Sequence, residues 1–319
     1  MAVSQWCALM ELRQLKYFVA IADCRSFSKA AEKVFVAQSA LSHQIAQLEA
    51  ELGIGLFHRS RRGVELTDAG ARFFPYAVSI LRQTEEAIAS ARSGGDEPSG
   101  KVVFGLPHSV SNALALPLLR EVHRQFPKIQ LELTEELTGN LIKQLRTGQI
   151  HLSVLFDDGQ LSEFTSVPFM REQMYLIEPS QEVRKARSSI TLKQALAMPL
   201  ILPAHPHGLR PLIEGAAMKA GLASPPVFAD ISSISILRTT LLAGLGRTLL
   251  PLMPFKQEID AGLLVATLIS SPTLERTLAL CGSGLIPASS ASQAVGRLTL
   301  DLVRTLCTSE SWPGAQLIE

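Results

Sequence analysis

The feature that most constrains this chain is a change of hydrophobic period near residue 95. Before it, apolar residues recur at helical spacing; after it, short strand-like runs alternate with helical ones. One layered core cannot serve both patterns, so the sequence predicts a helical head followed by an α/β body. Between them, Ser93-Gly94-Gly95-Asp96-Glu97-Pro98-Ser99-Gly100 is small, polar and helix-breaking, as a linker is. A length of 319 residues suits two or three domains.

In the head, Leu12, Leu15, Phe18, Val19 and Ala22 form one helical stripe. Ser26 or Ser28 can cap a second helix through Ala30, Ala31 and Val34. After a break at Phe35–Ala37, a third helix is expected from Gln38 to Leu52, burying Leu41, Ile45 and Leu48 and stopped by Gly53 and Gly55. Leu56–Leu66 is expected to form a small hairpin with a basic, glycine-containing turn. Thr67 then caps a fourth helix to Arg92, roughly 39 Å long at 1.5 Å per residue. Its stripe of Ala77, Leu81, Thr84, Ile88 and Ala91 asks for a partner helix, and Pro75 should bend or loosen its first turns.

In the body, strands are expected at Lys101–Leu106, Ile129–Thr134, Leu152–Phe156, Leu200–Leu202, Val227–Ile231, Thr248–Leu250 and Thr277–Cys281. Helices are expected at Leu114–Phe126, Gly139–Thr147, Leu209–Ala220, Ile234–Leu245 and near Ala291–Thr305. Such alternation predicts helices packed on mostly parallel sheets, in one large lobe or two small ones.

Several function classes are excluded. With 30 basic and 29 acidic residues the chain is no polycation, and with 47% apolar residues it is not disordered. No apolar run reaches the length of a membrane span. Residues 1–10 lack a basic segment followed by an apolar run, so no secretory signal and a cytoplasmic location are expected. Cys7, Cys24, Cys281 and Cys307 are scattered, which argues for reduced thiols and against a disulfide framework or zinc finger. His205-Pro206-His207 has no further ligand at metal spacing. Gly53-Ile54-Gly55 and Gly244-Leu245-Gly246 lack the third glycine of a dinucleotide fingerprint. There is no phosphate-loop lysine and no nucleophile-elbow serine. No enzyme activity, cofactor or metal is therefore expected.

The chemistry-bearing pattern lies in the head. Phe27 to about Ala46 reads as two short helices joined by a tight turn, a helix-turn-helix. The second helix opens with Gln38, Ser39, Ser42, His43 and Gln44, and Ser28 starts the first. Gln can bridge an adenine edge, and Ser can bond bases or phosphate. An ordinary solvated helical face is the bland alternative. The next segment carries Arg59, Arg61 and Arg62 at a hairpin tip, where a basic wing would meet phosphate or a minor groove. Three loop arginines alone are common surface; helices, wing and pairing helix in this order are not.

Leu12-Arg13-Gln14-Leu15-Lys16-Tyr17-Phe18, Ser26-Phe27-Ser28-Lys29-Ala30-Ala31-Glu32, Ala37-Gln38-Ser39-Ala40-Leu41-Ser42-His43-Gln44-Ile45, Leu48-Glu49, Leu52-Gly53, Leu56-Phe57, Arg59 and Leu66-Thr67-Asp68-Ala69-Gly70 together resemble the signature of LysR-type transcriptional regulators, and within them the nitrogen-assimilation-control branch. The resemblance implies a winged helix-turn-helix, a linker helix pairing two subunits, and a two-lobed, periplasmic-binding-protein-like α/β effector domain. It also implies promoter DNA, a small-molecule effector, self-association as dimer or tetramer, and RNA polymerase as partners. Two departures stand out. Ser39 replaces a common proline, and His43 replaces a common Arg or Lys, which weakens the case for a guanine contact there. Met10-Glu11-Leu12 resembles the usual start, so residues 1–9 are expected to be an extension or alternative start.

The resulting organisation is a DNA-binding domain at 10–67, a dimerisation helix at 68–92, a linker at 93–100 and an effector domain at 101–307. Lobe I takes about 101–168 and 267–307, and lobe II about 169–266. Ligands of such lobes sit where strand ends and helix N-termini face a crevice. The candidates are Ser109, Ser111 and Asn112 after the first strand, Thr138 opening the next helix, and His205 and Arg210 in a polar loop. Ser232, Ser233 and Thr248 complete the set, and Arg210 suggests an anionic effector. Helix capping is the bland reading of each hydroxyl. A solute-binding protein or an α/β enzyme with a helical appendage remains the alternative function.

Overall fold

The computed structural model describes residues 10–60, 63–92, 97–157, 159, 161–182, 187–204, 208–284 and 288–318. The chain divides into two units, one of residues 1–95 with 147–149 and one of residues 96–146 and 150–319.

The first unit opens with α1 (Leu12–Cys24), whose start is closed by Gln14 accepting from the Glu11 backbone N–H at 2.8 Å. It ends at Arg25 in the left-handed region, φ 50°. Ser26 caps α2 (Phe27–Lys33) by accepting from the Lys29 N–H at 3.4 Å, which decides between the two candidate serines. Ala30 and Ala31 are buried and let the helices approach closely. α3 (Gln38–Leu52) buries Leu41, Ile45 and Leu48 completely and stops at Gly53, φ 68°. β1 (Phe57–Ser60) and β2 (Gly63–Leu66) pair as the expected antiparallel hairpin.

α4 (Asp68–Arg92) is continuous through Pro75, whose ring forfeits the main-chain bond to the Ala71 carbonyl. Thr67 receives the Gly70 N–H at 3.0 Å and donates to the Gly55 carbonyl at 2.8 Å. Gly70 is obligatory here, because a Cβ would sit 2.2 Å from the Leu56 carbonyl oxygen. Phe18 centres the core, its ring 5.2 Å from both Phe57 and Phe73.

The second unit runs β3 (Gly100–Pro107), α5 (His108–Gln125), β4 (Ile129–Glu136), α6 (Thr138–Arg146), β5 (Leu152–Asp157), β6 (Phe164–Gln173), β7 (Tyr175–Pro179), β8 (Ser189–Thr191), α7 (Leu192–Leu196) and β9 (Leu200–Leu202). It continues with α8 (Leu209–Lys219), β10 (Val227–Asp230), α9 (Ile234–Leu242), β11 (Thr248–Leu250), α10 (Lys256–Asp260), β12 (Leu264–Ser270), β13 (Glu275–Ser283), α11 (Ser290–Thr308) and β14 (Ala315–Leu317). Two lobes result. One holds a sheet in the order β14-β6-β13-β5-β3-β4, with Phe104, Val154, Leu278 and Val295 in its core. The other holds β11-β7-β12-β8 and the pair β10-β9, around Ile177, Ile213, Leu249 and Phe255.

The sheets are mixed rather than mostly parallel. β3 runs parallel to β4 and β5, but β13 is antiparallel to β5 and β6, and β7 to β11 and β12. The chain passes between the lobes twice, at Met174 and at Ser271–Leu274, so strands returning from the second lobe enter the first sheet reversed. The sequence reading missed β6 because its burial does not alternate and Pro168 interrupts it. The helix expected from Leu114 begins earlier, at His108. Pro107 ends β3 in extended conformation, φ −64° and ψ 146°, and α5 begins at once.

Candidate nucleic-acid interface and effector crevice

α3 presents two unlike faces. Leu41, Ile45 and Leu48 are fully buried, whereas Gln38, Ser39 and His43 are exposed and Ser42 is partly so. Among the described residues, none of these four polar side chains holds an intramolecular hydrogen bond. Ala37 gives the helix no side-chain cap, so its first N–H groups are open to a partner. Ser28 is exposed on α2. Arg59 on β1 is exposed, and its guanidinium carbon lies 4.4 Å from the Phe27 ring centre, which fixes its stem. Arg61 and Arg62 lie outside the described residues. One residue escaped the sequence reading. Phe35, in the turn before α3, has φ 57° and is 94% exposed. An aromatic in a helix-turn-helix turn was the available signal.

In the second unit, the polar residues near the lobe boundary are mostly engaged with one another. Ser109 is buried and its hydroxyl accepts from Arg276 Nη2 at 2.9 Å. Ser111 donates to the His108 carbonyl at 3.1 Å and to the Glu135 carboxylate. Asn112 Nδ2 donates to the His108 carbonyl at 3.1 Å, and the His108 ring pairs with Glu135 at 2.7 Å. Thr138 is buried, and its hydroxyl has no partner among the described residues. Ser232 accepts from the Ala204 N–H at 3.1 Å, and Ser233 caps α9. His205 lies outside the described residues.

Two expectations need correction. Arg210 is no open anion receptor: it already holds Glu214 at 2.5 Å and Asp230 at 2.9 Å within its own lobe. Those carboxylates raise its pKa further, the Glu214 hydrogen bond most. Thr248 is fully buried, and its hydroxyl donates to the Ile201 carbonyl at 2.7 Å.

A cavity of about 440 Å³ opens between the lobes, walled by His108, Asn112, Glu135 and Glu136 on one side and by Ser232, Ser233 and Arg238 on the other. A smaller, more apolar hollow shares His108, Ser232 and Ile234 with it and reaches Ser109. Asn112, Ser232 and Ser233 thus line the larger cavity, and Ser109 and Ser232 the smaller one. A third cavity of about 760 Å³ lies along α8, with Phe156 and Pro272–Arg276 opposite.

Beneath these cavities lies a network invisible to local sequence reading. Arg276 donates to Glu172 Oε2 through Nε at 2.9 Å and Nη2 at 2.5 Å. Trp312 Nε1 donates to the other Glu172 oxygen at 2.8 Å, and the Phe156 ring stacks 4.0 Å from the guanidinium. Burial pulls the Arg276 pKa below its ordinary value against the opposing charge of Glu172. The pair joins the two strands, β6 and β13, that carry the chain between lobes.

Burial, with a smaller effect of Asp157, pushes the Cys281 thiol up to about 12; burial, aided by Glu172, pushes Cys307 up to about 11. Cys24 is half-buried. No cluster of three metal-ligating side chains occurs among the described residues. No described helix is long and apolar enough to cross a membrane.

Comparison with known proteins matches both units. A family model described as bacterial regulatory helix-turn-helix protein, lysR family, matches residues 12–71, and one described as LysR substrate binding domain matches residues 95–303. The nitrogen assimilation regulatory protein nac of Klebsiella aerogenes is 33% identical over 92% of this chain and 95% of its own. The hydrogen peroxide-inducible genes activator of Pectobacterium carotovorum is 31% identical over 85% of this chain and 89% of its own. Among solved structures, a full-length OxyR variant from Pseudomonas aeruginosa aligns with TM-score 0.69 at 25% identity, covering 92% of this chain and 95% of that one. CbnR complexed with its target DNA shares the fold, with TM-score 0.66 at 22% identity over 93% of this chain and 99% of that one. With a helix-turn-helix whose polar face is open and a two-lobed α/β unit following it in the chain, the chain belongs to the LysR family of bacterial transcriptional regulators, joining a DNA-binding domain to an effector-binding domain.

Proposed function

We propose that Gln38, Ser39, Ser42 and His43 read base edges or the adjoining backbone in the major groove, with Ser28 alongside. Arg59, Arg61 and Arg62 hold phosphate or enter the neighbouring minor groove. α4 pairs two subunits, so that two copies of α3 face half-sites one or more helical turns apart, and pairs assemble further into tetramers. A small molecule in the crevice between the lobes changes subunit geometry and so the spacing or bend imposed on promoter DNA. For that, it must bind the two states with different affinity. The protein acts in the cytoplasm, where RNA polymerase reads the outcome.

One observation carries this reading: the polar side chains of the first turns of α3 are open and unengaged, while its other face is fully buried. The likeness to the nac protein supports targets in nitrogen use rather than a peroxide response. Cys281 and Cys307, at about 12 and 11, stay protonated where peroxide chemistry needs a thiolate.

The test is a mobility shift of the full chain on promoter fragments in rising salt, alongside mapping of bound genomic DNA. A steep salt slope with retained sequence preference is expected. A strictly monomeric protein indifferent to duplex DNA overturns the reading.

A further inference from the structure

We propose that Phe35 is a further specificity residue of the DNA-binding head: its ring packs on the C5-methyl group of a thymine in the major groove, beside the base that Gln38 meets. This rests on the reading of α3 as the recognition helix and adds an apolar contact to its polar set.

Two helices of the head end alike, but on unlike residues. α3 closes through the Gly53 N–H on the Ala50 carbonyl at 3.3 Å and the Ile54 N–H on the Glu49 carbonyl at 3.1 Å, with Gly53 at φ 68°. α2 closes through the Phe35 N–H on the Glu32 carbonyl at 3.2 Å and the Val36 N–H on the Ala31 carbonyl at 3.0 Å, with Phe35 at φ 57°. This doubly bonded helix end favours glycine, then asparagine, at its left-handed position. A bulky side chain there is strained. The fold gives Phe35 nothing in exchange, since it is 94% exposed. Val36, half-buried against the core of the head, is the residue that anchors the turn.

Position supplies the use. Phe35 stands two residues before Ala37, the uncapped start of α3, and three before Gln38. Three residues span at most about 11 Å, or about three base steps at 3.4 Å each. The ring has no polar atom, so it neither bonds phosphate nor matches the donor and acceptor pattern of a base edge. The apolar feature of base edges in the major groove is the thymine methyl, which a phenyl ring suits. Ala37 and Ala40 are exposed too, so this end of α3 is not polar throughout. Between Arg25 and Gln47 no other large apolar side chain is exposed, which leaves too little apolar surface for a protein partner.

The experiment uses the full chain and a duplex recovered by selection with the parent protein. Each thymine is replaced singly by deoxyuridine, which lacks only the C5-methyl, and affinity is read by fluorescence anisotropy at fixed salt. Phe35→Asn is compared with the parent. Asparagine accepts the left-handed conformation, so the urea midpoint should match or exceed the parent's, and weaker binding then reports contact rather than folding. With the parent, we expect one thymine in each half-site to cost about fourfold when it loses its methyl, the worth of one buried methyl group. That thymine should lie within three base steps of the position that Gln38→Ala relaxes. Phe35→Asn should lose about as much on the thymine duplex and nothing further on the deoxyuridine duplex. A penalty that persists in full with Phe35→Asn overturns the proposal, because another side chain then holds the methyl. Parent-like binding by Phe35→Asn, or a selected site with no methyl-sensitive thymine, overturns it too, and α3 keeps its role if Gln38→Ala still relaxes a position. If Gln38→Ala relaxes none and no methyl matters, both readings fall.

Discussion

The face of α3 and the wall of the crevice are both polar, but they hold their polar groups in different ways. On α3, Gln38, Ser39 and His43 extend into solvent and have no partner within the described protein. In the crevice, Ser109, Ser111, Asn112 and Ser232 are each tied to a neighbour. The reading face meets a duplex whose shape is constant, so its groups stand ready and cost nothing to leave hydrated. In the crevice Ser109 is buried and Ser111 and Ser232 are half-buried, so these groups satisfy one another. The same residue types thus have separable consequences: substitution in the crevice should disturb folding, and substitution on α3 should not.

The largest effect should fall on the buried ion pair. Arg276→Leu leaves Glu172 buried with only the Trp312 indole as donor, which should cost about 3–5 kcal/mol. Urea unfolding of the full chain, followed at Trp312, measures it. The double variant Arg276→Leu, Glu172→Leu should recover most of the loss, because no uncompensated charge remains. A single-variant cost below about 1 kcal/mol would mean that water reaches the pair, and the contrast with α3 would be lost.

Gly70 comes next and tests the frame of the reading head rather than its polar groups. Gly70→Ala forces a Cβ to within 2.2 Å of the Leu56 carbonyl, and backbone cannot yield as a side-chain tip does. A cost of about 1–3 kcal/mol to the amino-terminal unit is expected. A fluorescent or calorimetric transition of that unit should shift down while the effector unit keeps its own. An unchanged transition would show that α4 slides past Leu56 freely.

The head was legible in the sequence because its information is local. A stripe at 3–4 spacing, a serine before Phe27 and a glycine after Leu52 each act within a turn or two, and the elements appear where those signals lie. The body was legible only in part. β6 carries a proline and no alternation, and the reversal of β13 follows from the path between lobes, which no local pattern records. Arg276 and Glu172 stand 104 residues apart, and each alone looks like a surface charge. Arg210 misled for the converse reason: in sequence a loop arginine looks free, and in space two carboxylates surround it. Phe35 was passed over as a break between helices, although an aromatic held at φ 57° in water is costly without a use.

A sharper comparison uses stability and readout on the same protein. Gln38→Ala should leave unfolding within about 0.5 kcal/mol of the parent, since the side chain is exposed and unengaged. It should relax preference at one base position by about 1–3 kcal/mol. Selected-site enrichment reads the second quantity, and an unchanged motif removes Gln38 from the reading set.

The finest version sits within one helix, where Ser26 and Ser28 differ by two positions and, on this reading, by role. Ser26 accepts from the Lys29 N–H, and at 3.4 Å that bond is long. Ser26→Ala should therefore cost about 0.5–1 kcal/mol of the amino-terminal unit's stability, toward the lower end of a lost cap. DNA affinity measured well below the melting range should hardly move. Ser28 is exposed on the helix beside the reading face, so Ser28→Ala should reverse the pattern, with unchanged unfolding and weaker binding to every sequence alike. If Ser28→Ala costs stability and Ser26→Ala does not, the cap has been placed on the wrong serine, and α2 begins two residues later than the main-chain geometry at Ser26 indicates.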